Sequence, residues 1–207
     1  MKKSFLLLLL FPFLCFLFFT TIVVNAQTGA KTKMIGGGIV YSSTKYDYTP
    51  QSSYNSLSLI PTLGYFVKDN LAIGLQVGYH WNGSDIGPSQ SSRRNGLGFG
   101  PFIRYYVPTS NSNFAVYAQF STSINLGKQK DQNGSNSFEA NYRDIDAGIA
   151  PGFVYFFNQH WAVELQLEGV SYSNNDPNTD ADNDTRRSFL IGLNSLSPST
   201  IGFRYHF

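Results

Sequence analysis

From Leu71 to Trp81 the chain alternates with period two. Leu71, Ile73, Leu75, Val77, Tyr79 and Trp81 take one face, and Ala72, Gly74, Gln76, Gly78 and His80 take the other. Trp161 to Glu168 repeats the pattern, with Glu164, Gln166 and Glu168 on the polar face. Phe114, Val116, Ala118 and Phe120 oppose Ala115, Tyr117, Gln119 and Ser121. Alternation of this kind predicts strands, because successive strand side chains point to opposite faces. Three segments share a further plan. Pro61, Pro101 and Pro151 each open an apolar stretch that meets a turn seven residues later, and a second alternating stretch follows. Each unit reads as a β-hairpin.

The connections between hairpins are rich in Ser, Asn, Asp, Gly and Gln, which is loop composition. They cover about 82–95, 127–137 and 174–187, with an earlier one near 47–53. Three hairpins, a first strand near Lys33 to Tyr46 and a last near Ser188 to Phe207 make eight strands. No segment after the N-terminal leader is apolar enough for a membrane helix.

Strands of about ten residues, with short turns at one end and long loops at the other, are the pattern of a transmembrane β-barrel. Lipid offers the backbone no hydrogen bonds, so a sheet within it must close. The fold expected is all-β: an eight-stranded antiparallel up-and-down transmembrane barrel with short periplasmic turns and long extracellular loops. A soluble lipocalin-like barrel also has period-two strands, but buries its apolar face inside. Here the inward set would hold Glu164, Gln166, Glu168, Gln119, Ser121, Gln76 and Arg104, which suits a polar lumen. Leu75, Val77, Leu165 and Leu167 would face lipid. Tyr65, Tyr105, Phe114, Tyr155 and Trp161 fall near the turns and would form the periplasmic aromatic girdle. Tyr41, Tyr79 and Trp81 would form the outer one. The in-strand prolines Pro61, Pro101 and Pro151 go against this reading, because each removes a ladder hydrogen bond.

Composition sharpens the picture. Charged residues are 14% of the 207, against about 25% in ordinary soluble domains. Lys2 and Lys3 precede an uncharged run from Ser4 to Ala26, and Val24 and Ala26 suit a cleavage site. Residues 1–26 are expected to be a signal peptide and residues 27–207 the barrel domain. An uncleaved membrane helix is the alternative. Cys15, the one cysteine, lies in the leader. No net basic field argues for nucleic acid.

Alternation points Arg104, Glu164 and Arg204 inward near the periplasmic end, with Glu168 one layer higher. These four are the candidate lumen ion-pair cluster, because shielded charges need partners. The other reading is a charged constriction that selects solutes. Asp180, Asp182 and Asp184 alternate like a calcium loop, but Thr185 and Ile191 stand where Gly and Glu would be required, so a solvated acidic loop fits better. His80 with Ser84 and Asp85 is the one grouping placed for lipid chemistry. No metal, cofactor or catalytic site is expected.

The chain ends in Phe203, Tyr205 and Phe207 on alternate positions. This resembles the terminal assembly signal of bacterial outer-membrane barrels. With the leader and the hairpin repeat, the chain resembles the eight-stranded outer-membrane barrel family in the OmpX, OmpW and PorT-like range, over about 33–207. The resemblance implies location in the outer membrane of a Gram-negative bacterium, a lipid environment, insertion by the barrel assembly machinery and a monomer. It implies a non-enzymatic role in envelope integrity or surface interaction through the loops, with an extracellular ligand it does not name. A narrow OmpW-like channel for small or apolar solutes is the alternative, and a lipid-modifying enzyme a third.

Overall fold

The computed structural model describes residues 28–47, 51–180, 185–192 and 198–207. The expected leader, Asp182 and Asp184 lie outside the described residues. Ten strands follow one another: β1 Lys33–Tyr46, β2 Ser52–Lys68, β3 Leu71–Ile86, β4 Gln90–Pro108, β5 Phe114–Asn133, β6 Asn136–Phe156, β7 Trp161–Leu167, β8 Val170–Asp176, β9 Arg186–Ile191 and β10 Pro198–His206. All pairings are antiparallel, and the ring β1–β2–β3–β4–β5–β6–β7–β10 closes where Met34–Ile39 pairs with Ile201–His206. The β8–β9 hairpin continues β7 and β10 upward, with β8 paired to β6. Eight staves therefore form the barrel.

The outward face carries one apolar band. On β4 it runs from Val107 to Leu97 and then meets Asn95 and Arg93. At 3.4 Å per residue and a tilt of about 40°, that stretch spans about 25 Å, the height of a lipid-facing band. The switch to polar residues recurs after Tyr41, Leu57, Trp81, Leu126, Ile145 and Tyr172.

The long polar loops expected from composition are largely strand. β3 runs to Ile86 and β4 begins at Gln90, so only Gly87, Pro88 and Ser89 turn. β5 and β6 meet across Gly134 and Ser135, with Gly134 at φ 58° where a side chain would be strained. The strands of β2 to β6 reach 16 to 21 residues rather than ten. Ser, Asn and Gly are poor strand formers alone, but a ladder begun in the apolar band continues above it, since both faces there are wet. Ser84 and Asp85, expected in a loop, sit in β3.

The prolines find a common solution. Pro61 pairs with Gly37, Pro101 with Leu75 and Pro151 with Ala118, each toward the preceding strand. The ladder skips all three toward the following strand. The missing N–H therefore falls on one flank only. Pro198 stands opposite Leu167 beside an irregularity, so proline recurs on every second stave.

Two further expectations need correction. Between Gly152↔Gln166 and Ile149↔Val170, residues 167–169 oppose only Ala150 and Pro151. This extra residue is a bulge, which resets the alternation. Leu167 is buried instead of facing lipid, and Glu168 is exposed beyond the end of β7. The lumen is also not polar throughout. Met34, Phe66, Ala72, Phe102, Tyr106, Ala115, Tyr117, Val154, Phe156 and Ala162 form a buried apolar floor at the short-turn end.

Candidate functional site

Directly on that floor lies a buried charge cluster. Arg104 projects inward from β4, Glu164 from β7 and Arg204 from β10. Arg104 Nη1 donates to Glu164 Oε2 at 2.5 Å, and Arg204 Nη2 donates to Glu164 Oε1 at 2.6 Å. Arg104 is wholly buried, and Glu164 and Arg204 are each 3% exposed. One carboxylate thus bridges two guanidinium groups in a setting where water screens little. Arg104 is fixed further. Its Nε donates to Gln119 at 2.8 Å, Nη1 also reaches the Tyr106 hydroxyl at 3.1 Å, and the guanidinium lies 4.0 Å from the Tyr117 ring centre.

Glycines make room for the stems. A Cβ on Gly202 would stand 2.7 Å from Glu164 Cγ, and one on Gly36 would stand 2.8 Å from Arg204 Cδ. Both glycines face these residues across the ladder: Gly202 pairs with Glu164, and Gly36 with Arg204. Of the four expected cluster residues, the structure brings together Arg104, Glu164 and Arg204. It leaves Glu168 outside, on the far side of the bulge.

Above the cluster, a cavity of about 340 Å³ is lined by Ser121, Ser123, Asp146, Gln166, Ser171 and Ser199, among others, with Glu168 at its wall. At the cavity wall, Asp146 accepts from Asn125 at 2.7 Å and from Ser173 at 2.5 Å. Arg94 pairs with Asp144 at 2.5 Å and lies 3.7 Å from the Tyr142 ring centre. This upper network was not expected. Its signal was the alternation of Tyr142, Asp144 and Asp146 with Arg143, Ile145 and Ala147.

The His80 grouping does not assemble. His80 Nδ1 bonds Ser58 at 2.9 Å. Asp85, five positions along the same strand, falls on the opposite parity and pairs with Arg93 at 2.7 Å. No group of three or more metal-binding side chains occurs among the described residues. Asp180 is held by Asn141 at 3.3 Å.

On the outer surface, Tyr65, Tyr105, Tyr155 and Trp161 are exposed at the short-turn end, and Phe114 is half-buried opposite Tyr155. Trp161 packs against Tyr205 with the rings tilted and their centres 4.9 Å apart. Phe203 and Phe207 are exposed on the same face.

Comparison with known proteins now decides the family. Residues 11–195 match the family described as outer membrane protein beta-barrel domain. The chain belongs to this family. It is therefore a bacterial outer-membrane β-barrel, set in membrane lipid. Among curated proteins no relative matches. Among solved structures it is similar to neisserial surface protein A, at 15% identity and a TM-score of 0.46, over 85% of this chain and 97% of that one. It is similar to OprG from Pseudomonas aeruginosa, at 14% identity and a TM-score of 0.41, over 88% and 99%. Ail of Yersinia pestis gives 13% identity and a TM-score of 0.39, over 86% and 99%.

Proposed function

We propose that this outer-membrane barrel is non-enzymatic, is closed to solute flow, and serves envelope integrity or surface interaction through its extracellular rim. The observation that carries the reading is the floor of the lumen. Arg104, Tyr106 and Phe66 are wholly buried across the bore, and an eight-stranded barrel is narrow enough for side chains to fill it. The rim supports the second half of the reading. Strand ladders carry Lys128, Lys130, Glu139 and Arg143 beyond the apolar band, where they meet the exterior.

The same proposal takes Arg104, Glu164 and Arg204 as a structural plug. It takes Tyr65, Tyr105, Phe114, Tyr155 and Trp161 as the periplasmic girdle, and Phe203, Tyr205 and Phe207 as the signal for the barrel assembly machinery. Export follows cleavage after Ala26, and the barrel works as a monomer. The cavity above the plug, lined by both polar and apolar residues, favours a second reading, a narrow channel whose floor moves. Protein purified from outer membranes and placed in planar bilayers tests the choice. No stepwise conductance is expected. Steady single-channel steps would overturn the plug and promote the channel.

A further inference from the structure

Arg204 keeps hydrogen-bonding capacity that none of the described residues uses. Its Nη2 reaches Glu164, but Nε and Nη1 have no partner among the described residues. The Thr62 hydroxyl, on a residue 6% exposed, has none either. The register brings the two residues into one row. Gly36 pairs with Arg204 on one side and with Thr62 on the other. Because Gly36 carries no side chain, the Arg204 stem crosses the space a Cβ there would occupy. At this position β1 therefore places no side chain between the two residues.

Charge decides what belongs in this row. The cluster holds two guanidinium groups and one carboxylate, leaving one positive charge in excess. A buried charge without a counter-charge is strongly unfavourable. Water would satisfy the three orphaned atoms but would bring no charge. An anion does both, and its hydrogen bonds to a guanidinium are charge-assisted. Met34, buried one inward position below Gly36, limits the space. The geometry points to a site for a small monovalent anion, of chloride size, held by Arg204 Nε, Arg204 Nη1 and the Thr62 hydroxyl. The site is part of the fold and does not depend on how the rim is used.

The test uses protein purified from outer membranes in detergent and exchanged into sodium gluconate, whose anion is too bulky for the site. Bromide is then titrated in at constant ionic strength. The melting temperature should rise and saturate, since a ligand that binds only the folded state stabilises it by mass action. Thr62→Val should weaken the half-saturation concentration about tenfold, as expected for one lost bond to a charged group, while Thr62→Ser should keep it. Crystals of the wild type soaked in bromide should show an anomalous peak within hydrogen-bond distance of Arg204 Nε or Nη1 and of Thr62. Melting that follows ionic strength alone, or density beside Arg204 without anomalous signal, would assign the row to water and overturn the proposal.

Discussion

Glu164→Ala should be the most damaging single change in the lumen. It leaves Arg104 and Arg204 facing each other without the carboxylate that holds them at 2.5 and 2.6 Å. Breaking one buried pair typically costs about 3–5 kcal/mol, because the surviving charge stays desolvated. Here one substitution breaks two pairs, so the loss should reach at least that range. Urea unfolding of the barrel in lipid vesicles, followed by tryptophan fluorescence, measures it. Arg204→Ala alone should cost less, since Arg104 still neutralises Glu164. Glu164→Ala combined with Arg204→Ala should recover part of the Glu164→Ala loss, because one orphaned guanidinium disappears. Strictly additive losses would show that the three groups do not act as one unit.

Leu75→Arg is expected to have the second large effect, on the other face. Leu75 is 62% exposed, and on a water-soluble protein such a change lies within about 0.5 kcal/mol. In this barrel Leu75 sits between Leu63 and Pro101 inside the apolar band. An arginine there meets hydrocarbon, and the expected loss is about 2–4 kcal/mol near mid-depth. Gln76→Leu, one residue along and pointing into the lumen, should be mild by the same unfolding assay. A tolerated Leu75→Arg together with a damaging Gln76→Leu would put the band's two faces the wrong way round.

The two faces differ in how openly the chain announces them. Leu71 to Trp81 declares its lipid side by strict alternation, and that side alone accounts for the ring of strands. The inward face was legible where it is polar, at Arg104, Glu164 and Arg204. It was not legible at the floor, where Met34, Phe66, Phe102 and Phe156 each stand next to an outward residue that is itself apolar. Two apolar faces cancel the period-two signal. Glu168 was misplaced because a bulge adds one residue, and a single added residue turns every later side chain over. Nothing in the local composition around Gly169 marks that event more strongly than an ordinary glycine would. The roles of Gly36 and Gly202 were hidden for a related reason. Each clears space for a side chain on a neighbouring strand, and that neighbour is fixed only once the register is known.

The rim was misread because serine, asparagine and glycine describe a preference of isolated segments. A strand already held on both flanks continues through such residues, and the Gln90–Asn95 stretch is held by β3 on one side and by β5 on the other. This bears on the thermodynamics of any encounter at the cell surface. Fixing a residue's backbone costs about 1–2 kcal/mol in lost conformational entropy, and a recognition loop meets that cost when it binds. In this barrel the Arg93↔Lys130 and Lys128↔Asn141 rungs are already in place before a partner arrives. Any partner at this rim would therefore meet a surface that has met that cost during folding, and rigid preorganised surfaces keep more of their contact energy as affinity.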